Sequence, residues 1–398
     1  MRIAFFVHTS GQAYLWRRVG ISLENKGHKT LFVARGTDSI CSVLDNYSIR
    51  YLTYGKSSKT RYGKVLQLPI QLIWALGPVR HFRPDILVGT ATMEAWSSTL
   101  LRKPLILFDD SEPLPFFQRL SWSYAASVIL TPACFSKDLG EKQVRFNGYK
   151  ELAYLHPNYF KPDPTICQEL GIAPKETYII LRFGSFEAVH DVDRKGFSAA
   201  VKYQLVEKLS KYARVFISPE GNLPADLNQY KLTIPYHRIH HAYYYAHLLV
   251  TDTQTSSTEA AILGTPVVRC NNFVGPNDMS NFIELEHKYG LIYSFQESAK
   301  AIEKALEMVQ TPGLKEQWIN KRQRLLADKI DVTQFMVDFI ENYPESLKKC
   351  IFLIHINDNN CPIDLSNMNV ELNTIYNHIK KYKEHPYRKD VLHKLINK

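Results

Sequence analysis

The sequence predicts an α/β protein made of two doubly wound, Rossmann-like domains that face each other across a cleft. Short apolar runs alternate with helix-length amphipathic stretches, which is typical of βαβ units around a parallel sheet. The alternation stops at the proline-rich, aromatic run YLHPNYFKPDP, Tyr154 to Pro164, and then starts again. The 398 residues, 45% of them hydrophobic, are enough to give each of two domains its own core.

The first predicted domain spans residues 1–155. Its strands are expected at the short apolar runs, and its helices at the longer amphipathic stretches between them. Gly27 and Pro104 stand where helices, or the turns after them, should end. In chain order the elements are strand IAFFV, helix YLWRRVGISLENKG, strand KTLFVA, strand IRYLTYG, helix VLQLPIQLIWALGPVRHF, strand DILVG, helix MEAWSSTLL, strand PLILFDD, helix FFQRLSWSYA and strand SVILTP.

The same alternation predicts a second domain over residues 165–330. The segment 331–344, DVTQFMVDFIENYP, is expected to be a helix that crosses back toward the first domain. From 345 to 398 the composition shifts to Asn, Lys and His, which predicts an accessory tail without chemistry of its own. The elements of the second domain are strand YIILRFG, a helix from Ser198 to Tyr212, strand RVFIS, a short helix at IHHAYYYA, strand LLVTD, a helix starting near Thr255, strand PVVRC and an amphipathic stretch from Glu297 to Ile330.

The composition indicates which cellular compartment and which classes of partner to expect. The net charge of +10 is compatible with phosphorylated substrates, an anionic membrane surface or nucleic acid, but no nucleic-acid-binding signature is visible, so no nucleic acid is expected. The six scattered cysteines indicate reduced thiols. The N-terminal apolar run is too short for a signal peptide, and no uncharged apolar stretch reaches the ~18 residues of a membrane span. A cytoplasmic protein is predicted.

The run QTSSTEAAILGTP combines helix-start residues with one carboxylate and a terminal glycine. If LLVTD is a strand, the first-turn N–H groups and hydroxyls of the following helix point into the cleft, where the helix dipole favours a phosphate. Glu259, one turn further on, can accept two hydrogen bonds from a ribose diol. The alternative is ordinary capping chemistry. The candidate nucleotide-sugar ligands here are Thr253, Gln254, Thr255, Ser256 and Glu259.

A family resemblance rests on this run and on several others. TEAAILGTP, Thr258 to Pro266, is similar to the nucleotide-diphosphate signature of GT-B enzymes. NGYKELAYLHPNYFKPDP, HDVDRKG, VFISPEG and CNNFVGPNDMSNFIELEHKYGLI look like a domain-of-unknown-function family allied to UDP-GlcNAc 2-epimerases and GT-B glycosyltransferases. The resemblance covers roughly residues 1–344. It implies a GT-B-like fold and a nucleotide-sugar ligand, with a UDP-linked donor as the expected one, bound on the side of the second domain.

At several positions this sequence differs from the families that it resembles, and these differences affect which reaction is expected. Epimerases carry Ser-Gly-Gly where this chain resembles them at Thr253, Gln254 and Thr255, so hydroxyls would replace close backbone approach. Retaining GT-B transferases carry a second glutamate where this chain has Thr251, which favours an inverting transferase.

The acids of the epimerases are only partly matched. Asp109 or Asp110 resembles one of them. The positions similar to the other two hold Thr90 or Ala91, and Phe116, so epimerase chemistry is less well matched than sugar transfer.

Polar residues at predicted strand ends are the candidate catalytic groups. His8 ends the first strand, and histidine has a pKa suited to proton transfer near neutrality; a histidine that is hydrogen-bonded in a loop is the alternative. Asp109 and Asp110 end another strand, where paired acids can differ in pKa; turn and capping acids are the alternative. His190 resembles in position a histidine that epimerases use near the phosphates.

The remaining candidates concern the donor. Arg182 and Ser185 follow the first strand of the second domain and are expected near the diphosphate, or else in a solvated loop. Ile239, beside Tyr236, is expected at the rim that packs the nucleotide base. His237 and His241 lie at i and i+4, but no HExxH is present, so no metal site and no cofactor are expected; N–H groups and cations would carry the leaving-group charge.

The stretch KSSKTRYGKVLQLPIQLIWALGPVRHFR joins basic residues to an apolar helix. This stretch is compatible with peripheral contact to an anionic membrane, where the enzyme would reach a lipid-linked acceptor. The alternative is a core helix behind a solvated loop. Together these features predict an inverting glycosyltransferase-like enzyme that uses a nucleotide-diphosphate sugar in surface polysaccharide or glycolipid synthesis. The alternatives are an enzyme similar to UDP-GlcNAc 2-epimerases and a binding protein that has lost catalysis.

Overall fold

A computed structural model describes residues 1–55, 61–113, 116–184, 196–221 and 223–350. The chain divides into two compact units, Met1–Leu347 and Lys348–Lys398, and only the first three residues of the second unit are described. The first unit holds both sheets. None of the helices in the described ranges is long and apolar enough to cross a membrane.

The first lobe of this unit is built on a parallel sheet of seven strands in the order β3-β2-β1-β4-β5-β6-β7. The first six follow the 3-2-1-4-5-6 order of a doubly wound fold. The strands are β1 (Arg2–Val7), β2 (Lys29–Ala34), β3 (Tyr51–Thr53), β4 (Ile86–Gly89), β5 (Leu105–Phe108), β6 (Val128–Pro132) and β7 (Gln143–Phe146), and the helices are α1 (Ser10–Asn25), α2 (Asp38–Asn46), α3 (Arg61–Phe82), α4 (Thr92–Leu101), α5 (Phe116–Ala125) and α6 (Leu152–Leu155).

The second lobe is built on a parallel sheet of five strands in the order β12-β11-β10-β8-β9. The strands are β8 (Tyr178–Phe183), β9 (Arg214–Pro219), β10 (Leu248–Thr251), β11 (Val267–Cys270) and β12 (Ile292–Phe295). The helices are α7 (Thr165–Glu169), α8 (Ala199–Leu209), α9 (Ile239–Tyr245), α10 (Gln254–Leu263), α11 (Ser280–Ile283), α12 (Ser298–Val309), α13 (Leu314–Asp328) and α14 (Val332–Glu341), with 3₁₀ turns at Ala225–Tyr230 and Tyr236–Arg238 and a π-helical turn at Glu284–Lys288.

The strands that read as short apolar runs are buried on both faces, as expected for a sheet covered by helices. The burial patterns of β1 and β8 show this, since almost every side chain of both strands is buried. On one face of the first sheet, Ala75 and Val79 of α3 and Trp122 of α5 pack on Phe6 and Leu87. The predicted α/β class with two doubly wound sheets is therefore confirmed.

The limits proposed from the sequence, 1–155 and 165–330, enclose the two sheets and remain our proposal for the domains. α14, in the predicted crossover segment, packs on α1 and α6 of the first lobe. Ser346 is buried, and the first unit extends to Leu347, three residues past the proposed limit at 344. The cause is the bond from the Ser346 hydroxyl to the carbonyl of Phe339.

Each sheet has a switch point where the strand order reverses, and ligands of such sheets bind beside the carboxyl ends of those strands. In the first sheet the switch point lies between β1 and β4, which end next to His8 and Thr90. In the second it lies between β8 and β10, which end next to Arg182 and Asp252. The contact between Ser10 and Tyr236, whose hydroxyl oxygens are 2.9 Å apart, joins the two lobes on this side.

Candidate functional site

The N-terminus of α10 lacks a side-chain cap. Its N-cap residue, Thr253, has extended backbone angles but accepts no hydrogen bond from the first turn. Its hydroxyl oxygen instead lies 2.9 Å from that of Thr251, whose oxygen also accepts the Thr253 N–H at 3.0 Å. The first-turn N–H groups of Gln254 and Thr255 therefore keep their donor capacity, and the helix dipole gives this end a positive potential.

Most hydroxyls of the α10 run have partners within the protein, contrary to the expectation that they point into the cleft. Ser256 accepts from the Tyr243 hydroxyl at 3.2 Å, and Ser257 donates to the Thr253 carbonyl at 2.7 Å. Thr258 accepts from the Asn281 amide at 3.3 Å. Ser256 stays a proposed ligand, but its hydroxyl already has a partner, so the anion-binding capacity of this end rests mainly on backbone N–H groups and Thr255.

The first turn of α1 faces the first turn of α10. A Cβ atom built on Gly11 would lie 3.8 Å from Cγ2 of Thr255 and 4.0 Å from Cε of Lys150. The Lys150 ammonium is 2.5 Å from Oδ2 of Asp110 and 3.5 Å from Oε1 of Glu151. Two positive helix ends and a lysine therefore converge, which is a favourable environment for a diphosphate.

Lys150 keeps its charge in this half-buried position. Burial by itself lowers the pKa of its ammonium, but Asp110 and Glu151 raise the pKa above its ordinary value. Burial also raises the pKa of Glu151 to about 7, against the attraction of Lys150. The predicted catalytic residue Asp110 thus acts first as the counter-ion of a lysine that the sequence analysis did not single out.

Asp109 is buried and only half satisfied. Its Oδ1 accepts the Ser111 N–H at 2.9 Å, while its Oδ2 has no hydrogen-bond partner among the described residues. Burial raises the pKa of Asp109 to about 8; the bond from Ser111 lowers it and the nearby charge of Asp110 raises it. A carboxyl group with a pKa near neutrality and a free oxygen is suited to proton transfer.

The raised pKa makes folding stability depend on pH. Folded Asp109 holds its proton up to about pH 8, whereas an unfolded aspartate loses it near pH 3.9. Between these values the folded state binds more protons, so this residue's contribution to stability falls as the pH rises. We expect Asp109→Asn to gain in melting temperature relative to the wild type between about pH 5 and about pH 9. If the melting temperatures of the two proteins changed in parallel with pH across that range, the raised pKa of Asp109 would be contradicted.

His8 lies in a buried network at the switch point of the first sheet. Its Nε2 is 2.8 Å from Oε2 of Glu94, and its Nδ1 is 2.5 Å from the Tyr54 hydroxyl. Glu94 Oε1 accepts the backbone N–H groups of Thr90 and Ala91, the latter at 2.5 Å. With both ring nitrogens engaged, His8 has no free lone pair toward the cleft, and a base role would require Tyr54 to leave.

Gly89 makes room for the Glu94 carboxylate. A Cβ atom on Gly89 would lie 2.1 Å from Oε1 of Glu94, closer than any real contact allows. Glu94 therefore depends on a glycine at the end of β4. The sequence signal for Glu94 was its place at the third position of α4, where a glutamate often accepts N–H groups of the preceding turn.

Glu259 is held between the lobes. Its Oε1 accepts from the Tyr154 hydroxyl at 2.9 Å and lies 2.9 Å from Nε2 of His240. No described residue bonds its Oε2. The predicted ribose ligand is thus buried and oriented by Tyr154, which belongs to the segment that links the two sheets.

A cavity of about 430 Å³ opens between the lobes next to this cluster. Arg182, Ile239 and Tyr236, predicted near the donor, line it together with Ser10. The Arg182 guanidinium donates to the backbone and side-chain oxygens of Ser218 and to Glu220, so it is fixed along the cavity wall. The volume is within the range of small-ligand sites. Two further predicted residues, Ser185 and His190, lie outside the described residues.

Arg269 is a buried cation that the sequence analysis passed over. Its guanidinium is fully buried and donates to both carboxylate oxygens of Asp278, at 2.7 and 2.9 Å. Its Nε donates to Oε1 of Gln254 at 2.9 Å. The Gln254 side chain therefore links the first turn of α10 to the buried ion pair of Arg269 and Asp278.

In the described ranges, three or more His, Cys, Asp or Glu side chains nowhere come close enough together to hold an ion. Of the two histidines at i and i+4, His241 accepts the Asp163 N–H at 3.0 Å, and burial lowers the pKa of His241 to about 4. That histidine is a neutral acceptor that fixes the linking segment.

Comparisons with known proteins agree with this architecture. The profile of the family described as protein of unknown function (DUF354) matches residues 8–345, which confirms the resemblance noted in the sequence. No curated protein matches the chain significantly.

Several solved structures share the fold. A co-structure of S. aureus MnaA with UDP has a TM-score of 0.62 and 13% identity, covering 87% of this chain and 97% of that one. The UDP-GlcNAc 2-epimerase of Neisseria meningitidis bound to UDP-GlcNAc has a TM-score of 0.60 and 12% identity, covering 88% and 100%. The spinosyn rhamnosyltransferase SpnG, complexed with spinosyn aglycone, has a TM-score of 0.55 and 14% identity, covering 86% and 100%. The chain thus has a GT-B-like fold.

Proposed function

We propose that this chain, which belongs to the family described as protein of unknown function (DUF354), is a glycosyltransferase-like enzyme for a nucleotide-diphosphate sugar. The observation that carries the proposal is the convergence of the α1 and α10 starts with Lys150 at the carboxyl edges of both sheets. UDP or UDP-GlcNAc is the bound ligand named for two of the similar structures, which supports a UDP-linked donor. Surface polysaccharide or glycolipid is the acceptor class that we propose.

The donor is proposed to lie along the cleft. Its nucleoside occupies the cavity beside Arg182 and Tyr236, its ribose contacts Glu259, and its diphosphate meets the N–H groups of Gln254 and Thr255. N–H groups at a helix end stabilise a leaving diphosphate without reorganising, because they are already oriented.

Transfer is proposed to be a single displacement with inversion. Oδ2 of Asp109 takes the proton of the acceptor hydroxyl while that oxygen forms a bond to the anomeric carbon. The bond from this carbon to the diphosphate breaks, and the leaving charge falls on the helix ends and Lys150. Because Asp109 must be ionised, kcat/KM should rise with pH through about 8. His8 is a positioning residue in this scheme, since Glu94 and Tyr54 hold both its nitrogens.

A sugar-nucleotide 2-epimerase is the second candidate. One of the similar structures is described as a UDP-GlcNAc 2-epimerase, and a buried acid with a raised pKa also serves proton transfer at carbon. An epimerase needs no acceptor, so the two reactions can be separated by supplying the donor alone.

The deciding experiment is incubation of the protein with UDP-GlcNAc alone, followed by NMR of the sugar protons and of free UDP. The transferase proposal expects slow UDP release with the C2 configuration retained, because water replaces the acceptor. A new signal of the C2 epimer without UDP accumulation would establish the epimerase. Binding with neither change, for this and other UDP-sugars with candidate acceptors, would leave the third alternative, a binding protein without catalysis.

A further inference from the structure

The outer surface of three consecutive helices, here called the α3–α5 face, exposes large apolar side chains. Ile73 is 68% exposed and Tyr124 is 79% exposed. The inner sides of the same helices fill the core of the first lobe, so these residues are not loosely packed core. The exposed apolar residues that define the face are Ile70, Ile73 and Trp74 of α3, Leu100 at the end of α4, and Tyr124 of α5.

The three helices of this face carry no exposed carboxylate. The sequences of α3 and α5 contain no Asp or Glu, and the one acid of α4, Glu94, is fully buried in the bond with His8. Asp85, the next acid along the chain after α3, is exposed at the amino edge of the sheet beside the end of α3, where its carboxylate accepts the Arg2 N–H at 2.8 Å. Among the described residues, the outer surfaces of these three helices therefore present apolar side chains without a carboxylate, and Asp85 beyond α3 is the nearest exposed acid along the chain.

Cations gather at one end of this surface. A cavity of about 730 Å³ lies at the end of α3, where the exposed Gly77 continues the line of Ile70, Ile73 and Trp74. The Arg2 guanidinium lies over the Phe82 ring at 4.7 Å. Exposed Arg102 follows α4 at the same end of its helix. The residues that line the cavity are Arg2, Gly77, Arg80, His81 and Arg83.

We propose that the α3–α5 face docks on an anionic phospholipid surface, with lipid phosphates at the cationic end of α3. The arrangement fits because interfacial surfaces combine exposed aromatic and aliphatic side chains with cations and few acids. A second copy fits less well, because the same face of that copy would again present cations and would offer no carboxylates from these helices to pair with them. The proposal stands apart from sugar transfer, since it uses none of the cleft residues.

The test is co-sedimentation of the full chain with vesicles. One set of vesicles contains phosphatidylcholine alone, and the other contains equal amounts of phosphatidylcholine and phosphatidylglycerol. We expect binding to the anionic vesicles only, weakened by high salt because exposed charges are screened. Ile73→Glu should reduce the partition coefficient at least about tenfold, because it removes an apolar contact and adds a repelled charge.

Matched variants separate docking from folding. Ile319→Glu makes the same substitution at an exposed position of α13 in the second lobe and should leave vesicle binding unchanged. Arg80→Glu, at an exposed position that lines the cationic cavity, provides a second variant if Ile73→Glu lowers the melting temperature.

Three results would overturn the proposal. The first is failure of the wild type to bind anionic vesicles. The second is binding by Ile73→Glu and Arg80→Glu that is as strong as binding by the wild type. The third is a concentration-dependent dimer, detected by light scattering, that Ile73→Glu dissociates, which would assign the face to a second copy of this chain.

Discussion

Replacement of Asp109 by asparagine is expected to lower kcat by a factor of about 10² to 10⁴, the usual contribution of a general base. Asparagine keeps the size of the side chain and the acceptor for the Ser111 N–H, but it cannot take a proton. The affinity for UDP should stay within about twofold, because Asp109 is not placed at the helix ends. The assay is UDP release from whichever UDP-sugar the wild type turns over fastest.

Two variants serve as controls for this result. Asp110→Asn removes the carboxylate that pairs with Lys150 but leaves Asp109 in place, so kcat should fall much less than in Asp109→Asn. Tyr54→Phe frees Nδ1 of His8 and should change kcat by less than about tenfold if His8 only positions the edge of β1. A larger loss of kcat in His8→Ala than in Asp109→Asn would identify His8 as the base instead.

Replacement of Arg269 by methionine is expected to lower the free energy of unfolding by about 3–5 kcal/mol. The guanidinium is fully buried, and its loss leaves the buried Asp278 carboxylate and the Gln254 side chain without their partner. It also lies 3.8 Å from the centre of the Phe282 ring, a contact that methionine replaces only in part. Chemical denaturation followed by circular dichroism measures the change.

The double variant Arg269→Met, Asp278→Leu tests the cause. It removes both charges, so it should recover a large part of the stability that Arg269→Met loses. Lys300→Met, which breaks the exposed ion pair with Glu297, is the matched surface control and should change stability by less than about 1 kcal/mol. If Arg269→Met behaves like Lys300→Met, the buried ion pair does not hold the start of α10.

The fold was predictable where burial dominates the sequence. β5 and most of β1 and β8 are continuous apolar runs because helices cover both faces of the sheets. The prediction missed β7 and β12, which are short edge strands, and it missed α2. An edge strand pairs on one side only and keeps polar residues such as Gln143 and Ser294, so its pattern does not stand out from a loop.

The site was predictable where a local pattern marks it. The start of α10, its glycine end at Gly264 and the inward Glu259 follow from capping rules and spacing. Glu94, Lys150 and Arg269 were not found, because their roles depend on partners far away in the chain. Glu94 is 86 residues from His8, and Lys150 is 40 residues from Asp110. Only the folded chain brings these pairs together.

Titration of the protein with UDP by isothermal calorimetry, for the wild type and for Gly11→Glu, tests the central claim most directly. A side chain at Gly11 starts within ordinary contact distance of Thr255 and Lys150, so the fold should tolerate the glutamate, whose carboxylate would occupy the space between the two helix starts. Gly11→Ala is the control and should bind as the wild type does.

We predict UDP binding by the wild type and at least about a tenfold loss of affinity in Gly11→Glu, because a fixed negative charge competes with the diphosphate at the helix ends. Failure of the wild type to bind UDP, or equal binding by Gly11→Glu with an unchanged melting temperature, would contradict a diphosphate site between α1 and α10.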